Sequence, residues 1–240
     1  MTSEETEFPM SETLTITTPD GDFSAYVAHP QADNAPAIVV IQEIFGVNKV
    51  MRDICDGLAS QGYVAVCPDL FWRIEPGIDI TDQSEAEWKR AFELFNAFDV
   101  DAGVSDIAAT ITTVRALPGV NGKVGAVGYC LGGLLAFLTA TRTDADAAVS
   151  YYGVGLEKHV GEAEKLAHPL LMHIAEKDQF VPPEAQQVIL NALKDHPQIE
   201  IHTYAGRDHA FAREGGAHYD AADAAKANGR SLTFFQKALA

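Results

Sequence analysis

Apolar residues along the chain fall into two alternating patterns, short runs of strand-forming residues and longer amphipathic stretches. Residues 14–17 and 23–28 flank Pro19-Asp20-Gly21, a turn signal that predicts an opening hairpin. Further strand candidates are 37–41, 63–67, 124–127, 147–151, 170–174 and 199–204. Several are nearly continuous Val, Ile, Ala and Leu, as strands covered on both faces should be. Helical candidates lie between them at 50–60, 85–95, 100–117, 131–140, 183–194 and 221–239. Strands alternating with helices predict an α/β fold with a mostly parallel sheet of about eight strands and helices on both faces. The stretch 72–83, rich in Pro, Gly, Asp and Ile, reads as a loop, and the sequence leaves open whether it acts as a lid.

Length and charge narrow the picture. A chain of 240 residues fits one domain spanning 1–240. Residues 1–10 are acidic and lack an apolar run, so they read as a flexible N-terminus rather than a signal peptide. Apolar runs stay far below the length of a membrane span. Seventeen basic residues against 34 acidic ones leave a formal charge of −17. That field repels nucleic-acid phosphates and anionic membranes, and neither partner is expected. An anionic substrate would need a local cation. Cys55, Cys67 and Cys130 are an odd number without C-x-x-C spacing, and free thiols imply a reducing cytoplasm. The eight histidines show no H-E-x-x-H, and no G-x-x-x-x-G-K occurs. No metal or other cofactor is expected.

The candidate chemistry begins where strand 124–127 meets helix 131–140, at Gly128-Tyr129-Cys130-Leu131-Gly132-Gly133. G-x-C-x-G between a buried strand and an apolar helix is the nucleophile elbow of an α/β-hydrolase fold, with cysteine in place of serine. At the helix N-terminus the dipole favours thiolate over thiol. The bland alternative is a buried structural cysteine. A nucleophile of this class needs an acid and then a histidine further along the chain. Asp178 follows strand 170–174, and His209 follows strand 199–204. His173 and His202 lie within strand runs, His173 reading as a hydrogen-bonded core residue, while Asp208 and Glu176 are weaker orienters. Strand 37–41 ends in Gln42-Glu43-Ile44-Phe45-Gly46. The loop at this point supplies an oxyanion-hole N–H, here Ile44, beside that of Leu131. Taken alone, Glu43 could equally be a solvated loop residue.

Together these residues resemble the dienelactone hydrolase family of α/β-hydrolases, from about residue 23 to residue 239. The marks are Gln42-Glu43-Ile44-Phe45-Gly46, the stretch 125–133, Tyr151-Tyr152-Gly153-Val154-Gly155-Leu156, Asp178-Gln179-Phe180-Val181-Pro182 and His209-Ala210-Phe211-Ala212-Arg213. The resemblance implies a triad of Cys130, His209 and Asp178, with Glu43 hydrogen-bonded to the resting thiol. It implies that Arg213 pairs with Glu43 and with a substrate carboxylate, and that Tyr152 lines the substrate site. The expected reaction is hydrolysis of small carboxylic esters or lactones by a monomer or small homo-oligomer. One departure stands out. Where the family's best-known members carry an arginine and a tyrosine on helix 85–95, this chain has Trp88 and Phe92, one helical turn apart. Half of the anion clamp is thereby replaced by apolar area, which makes a carboxylesterase preferring neutral esters the first alternative. A non-catalytic thiol redox sensor on the same fold is the second.

Overall fold

The computed structural model describes residues 10–240, and one eight-stranded sheet runs through them. β1 (Met10–Thr18) and β2 (Gly21–His29) form the hairpin around Pro19-Asp20-Gly21. β3 (Ala35–Ile41), β4 (Val64–Pro68), β5 (Val120–Tyr129), β6 (Ala147–Tyr151), β7 (Leu170–Ala175) and β8 (Ile199–Tyr204) complete it. Their order is β1-β2-β4-β3-β5-β6-β7-β8, antiparallel at β1–β2 and β2–β4 and parallel elsewhere. This is the α/β-hydrolase arrangement. Every residue of β4, β6 and β7 is buried, which is why their sequences run apolar without alternation.

Among the described residues six α-helices cover the sheet: α1 (Lys49–Ser60), α2 (Glu85–Ala97), α3 (Val100–Arg115), α4 (Leu131–Arg142), α5 (Pro183–Leu193) and α6 (Ala221–Ala238). Four start on side-chain caps, in which Asn48, Ser84, Asp99 and Asp220 accept a main-chain N–H three residues on. α4 differs. Eleven of its twelve residues are buried, and its first position follows Cys130 with no side-chain cap, leaving its opening N–H groups for other work.

Each strand and helix read from the sequence is present, with ends shifted by a few residues. Met10, assigned above to the flexible N-terminus, opens β1 instead because it pairs with His29; residues 1–9 lie outside the described residues. Two short 3₁₀ turns, Leu156–Lys158 and Val160–Lys165, escaped the reading because single turns carry no period. The stretch 72–83 is a loop tied down along its length. Trp72 Nε1 and Arg73 bond Asp106, Gly77 N–H bonds Asp69, and Asn48 Nδ2 bonds the Ile80 carbonyl. Among the described residues no helix is long and apolar enough to cross a membrane.

β3 has β4 on one side and β5 on the other, so the chain reverses its progress across the sheet there. In open α/β sheets such a switch point opens a crevice at the carboxyl ends of the strands. The loops leaving β3, β5, β7 and β8 all emerge at that end.

Candidate active site

Cys130 joins β5 to α4 in a conformation that L-residues avoid, φ 58° and ψ −117°. Two glycines make the turn sterically feasible. A Cβ on Gly128 would lie 1.9 Å from the Gly132 carbonyl oxygen. One on Gly132 would lie 2.4 Å from the oxygen of Ile41 and 2.6 Å from that of Gln42. The sharp turn is fixed from both sides: Cys130 N–H donates to the Tyr151 carbonyl at 3.1 Å, and its own carbonyl accepts from Gly133 at 2.9 Å. The side chain is left at the floor of a cavity, with the residue 8% exposed.

His209 and Asp178 arrive on the loops after β8 and β7. Nδ1 of His209 lies 2.8 Å from Asp178 Oδ2. Oδ1 of Asp178 accepts the N–H groups of Phe180 and Val181, so the carboxylate is anchored by main chain on one side and holds the ring on the other. With Nδ1 committed, Nε2 remains for the Cys130 sulfur, which neighbours the ring. Burial alone would push the His209 pKa down. The negative charge of the Cys130 thiolate, with hydrogen bonds to Asp178 and Cys130, overrides burial and pushes it up to about 10. Phe180 and Tyr152 meet the imidazole edge-on, with centroids 4.9 and 5.1 Å away. Asp208 and Glu176 serve the main chain instead, accepting from Gln179 and Gly206. His173 is, as read, a core residue, bonded to Tyr204 and Ser231.

Glu43 is not a solvated loop residue; it is 2% exposed. Its Oε2 accepts from Arg213 Nη1 at 3.1 Å, as the resemblance implies, while Oε1 has no partner among the described residues. The implied bond from Glu43 to the thiol is not among its contacts, because the guanidinium draws the carboxylate towards itself. Arg213 also donates from Nη2 to Asp82 Oδ2 at 2.7 Å. Asp82 was missed in the sequence. It sits in the irregular loop 72–83, where no period or motif marks a residue that reaches the site. Ile44 and Leu131 flank Cys130, and neither N–H has an acceptor among the described residues. Tyr152, at φ 39°, has a buried hydroxyl with no partner there.

Trp88 and Phe92 do face this site. They stack at 5.5 Å, Trp88 meets Phe45 edge-on at 5.2 Å, and Phe92 approaches Phe180 at 6.4 Å. With Ile44 and Val154 they wall a cavity of about 40 Å³ whose polar margin is Cys130, His209 and Arg213. Lys89 and Arg90 point away, to Glu93 and Glu75. The arrangement can activate a thiol, hold an oxyanion and shelter an apolar acyl group.

The model of the dienelactone hydrolase family matches residues 23–239. A provisionally named carboxymethylenebutenolidase of Azospirillum brasilense is 54% identical over 224 residues, covering 92% of this chain and 95% of its own. The carboxymethylenebutenolidase of Pseudomonas putida is 46% identical over 226 residues, covering 94% and 96%. A crystal structure of a provisionally named dienelactone hydrolase from Klebsiella pneumoniae superposes with a TM-score of 0.83 at 27% identity, covering 95% of this chain and 98% of that one.

Proposed function

The chain belongs to the dienelactone hydrolase family, and from that membership we propose that it hydrolyses small carboxylic esters and lactones with Cys130 as nucleophile. The observation carrying the assignment of Cys130 is its forced conformation at the start of α4, beside a His209 ring locked to Asp178. In the first half-reaction His209 already holds the proton from Cys130, and the thiolate sulfur bonds to the carbonyl carbon. The carbonyl electrons move onto oxygen, where the N–H groups of Ile44 and Leu131 meet them. The oxyanion collapses, the C–O bond breaks, and His209 returns the proton to the leaving alkoxide. In the second half-reaction His209 deprotonates water, which attacks the thioester and expels the thiolate. With a lactone, the leaving alcohol and the acid remain one molecule.

The relatives' name points to a lactone bearing a carboxylate. The aromatic wall of Trp88, Phe92, Phe45 and Phe180 favours the second reading, a carboxylesterase accepting uncharged groups. The three thiols, none in a disulfide among the described residues, support a reducing compartment such as the cytoplasm. A redox sensor would need neither the His209–Asp178 pair nor two free N–H groups beside the sulfur. The test is an ester-hydrolysis assay with iodoacetamide labelling. We expect Cys130 to be alkylated before the buried Cys55 and Cys67, activity to fall in step, and Cys130→Ala to lose several orders of magnitude in turnover. Wild-type turnover in Cys130→Ala would overturn the reading.

A further inference from the structure

We propose that the cleft between α1 and α6 is a second small-molecule site, taking an uncharged, ring-sized compound that carries a hydrogen-bond acceptor. This goes beyond the hydrolase reading and does not depend on it.

Side chains on a strand alternate between the two faces of the sheet. Gly128 of β5 faces the backbone of α4, so Val127 and Tyr129 face the other way, towards α1 and α6. There they floor a cleft of about 650 Å³, against about 40 Å³ for the cavity at Cys130. The two share no lining residue. A volume of that size is ordinary for a small-molecule site. Ile54, Leu58, Leu232 and Phe235 make its walls apolar. Gly57 of α1 and Gly229 of α6 also line it, and a Cβ on either would meet nothing within 4 Å. Glycine weakens a helix interior, and no close contact calls for it at either place. Both leave the mouth of the cleft open.

The floor is polar, and its hydrogen bonds run one way. Arg230 has only donors, so the Tyr204 oxygen accepts from it and the Tyr204 O–H donates to His173 Nδ1 at 2.8 Å. The neutral His173 ring then carries its proton on Nε2 and donates to Ser231 at 2.9 Å. Asn228 Oδ1 can only accept, so Tyr151 donates to it at 3.0 Å. Two groups lining the cleft stay uncommitted among the described residues, the Asn228 Nδ2 group and the Tyr129 hydroxyl. Tyr129 is only 7% exposed, and its ring lies 4.7 Å from that of Tyr151. Burial, with the Glu43 charge, pushes the Tyr129 pKa up, so the phenol keeps its proton. A polar group this deep costs free energy until something bonds to it. Both uncommitted groups are donors, and the oxygen of a ketone, ester or ether satisfies them. Charge narrows the choice further. At the rim Lys49 is already paired with Asp53, and Glu214 has no ion-pair partner among the described residues. That carboxylate opposes an anion, and two inward donors oppose a cation.

The experiment titrates three probes into the isotope-labelled full chain and follows its amide NMR shifts. Acetophenone is a neutral ketone with no ester to hydrolyse, isopropylbenzene has its shape without the oxygen, and benzoate is an anion of similar size. The proteins are the wild type, Tyr129→Phe and Gly57→Leu/Gly229→Leu, each checked for folding by circular dichroism. We expect the shifts to cluster on α1 and α6, with acetophenone binding more tightly than either other probe. Tyr129→Phe should weaken acetophenone roughly fivefold, as the loss of one hydrogen bond does, and leave isopropylbenzene unchanged. Gly57→Leu/Gly229→Leu removes two helical glycines and fills the mouth, so it should fold at least as well and weaken acetophenone roughly tenfold or more. Shifts confined to Ile44, Trp88 and Phe92 would put the binding in the catalytic cavity and overturn the proposal. So would the absence of shifts, benzoate binding as tightly as the ketone, or a Tyr129→Phe protein that binds ketone and hydrocarbon as the wild type does. Should Tyr129→Phe not fold, the glycine pair and the ranking of the three probes still decide.

Discussion

Arg213 Nη1 lies 3.1 Å from Oε2 of Glu43, and the two residues are 170 positions apart in the chain. They meet because the loops after β3 and β8 leave the same end of the sheet. Removing one partner of a buried pair usually costs about 3–5 kcal/mol, because the other charge is left alone. Arg213 is not left alone, since Asp82 also holds it.

We therefore expect Glu43→Gln to cost only about 1 kcal/mol in chemical denaturation, the range of a single hydrogen bond. Glu43→Gln with Asp82→Asn should cost more than the sum of the two, because only the double variant leaves the guanidinium unpaired. Strict additivity would show that the two carboxylates act independently. The same Glu43→Gln protein should alter the pH dependence of Cys130 alkylation, since it removes a buried negative charge near the sulfur. An unchanged profile would make Glu43 a partner of Arg213 alone.

The His209 pKa, raised to about 10, gives a second expectation. A histidine whose folded value exceeds its unfolded one contributes stability that is full below about pH 6.5 and lost as pH rises through about 10. The wild type should therefore weaken between pH 7 and 10. In Cys130→Ala the thiolate is gone, and the imidazole midpoint read by NMR should fall by about 1–3 pH units. If the midpoint does not move, the sulfur carries no charge that the ring feels.

These groups differ in how plainly the sequence shows them. Cys130 was legible because two steric necessities, Gly128 and Gly132, leave a written pattern around it. Asp178 was legible because it follows β7, a fully buried strand that announces itself by composition, and His209 because it follows β8, a strand at the sheet edge with only Tyr204 buried. Trp88 and Phe92 were found through the family resemblance, and their helical spacing put them on one face. Asp82 was not, and neither was Phe180's position over the His209 ring. Both depend on how an irregular loop is folded back, and contacts of that kind follow from tertiary packing rather than from any period. The pairing of Glu43 with Arg213 was implied by the resemblance, whereas the missing bond from Glu43 to Cys130 was not, since it turns on the balance of two neighbours.

A third expectation lies away from the site. His173 is buried between Tyr204, bonded to Nδ1 at 2.8 Å, and Ser231, bonded to Nε2 at 2.9 Å. Ser231 in turn meets Tyr151 at 2.7 Å, and Tyr151 reaches Asn228. Burial, with the charges of His202 and Arg230, pushes the His173 pKa well down, so the folded protein keeps this ring neutral. Its contribution is present above about pH 6.5 and is lost as pH falls below that value. His173→Ala should cost about 2–4 kcal/mol at pH 8, through the lost ring and its two hydrogen bonds. It should also make stability less sensitive to acid between pH 7 and 5. Denaturant titrations at the two pH values check both, and an equal acid loss in the variant would assign that loss elsewhere.

The last expectation concerns how substrate enters. A cavity of about 40 Å³ holds a few water molecules, not a ring-bearing ester. Some part of the wall must move, and the candidates differ in what holds them. Trp88 is clasped by Phe45, by Phe92 and by a hydrogen bond from its indole to the Asp82 carbonyl. Phe92 is 40% exposed and has no hydrogen-bonding group, its ring meeting those of Trp88 and Phe180. Phe92 is therefore the side chain expected to swing. Phe92→Ala should leave stability within about 1 kcal/mol, as befits a half-exposed residue, and should favour bulky acyl esters over acetyl esters in kcat/KM. Trp88→Ala should instead cost about 3 kcal/mol, because it removes a packed ring and strands the Asp82 carbonyl. Kinetics across an acyl-length series, with melting curves for both variants, separates the two roles. If Phe92→Ala shifts no acyl preference, the entrance lies elsewhere in the wall.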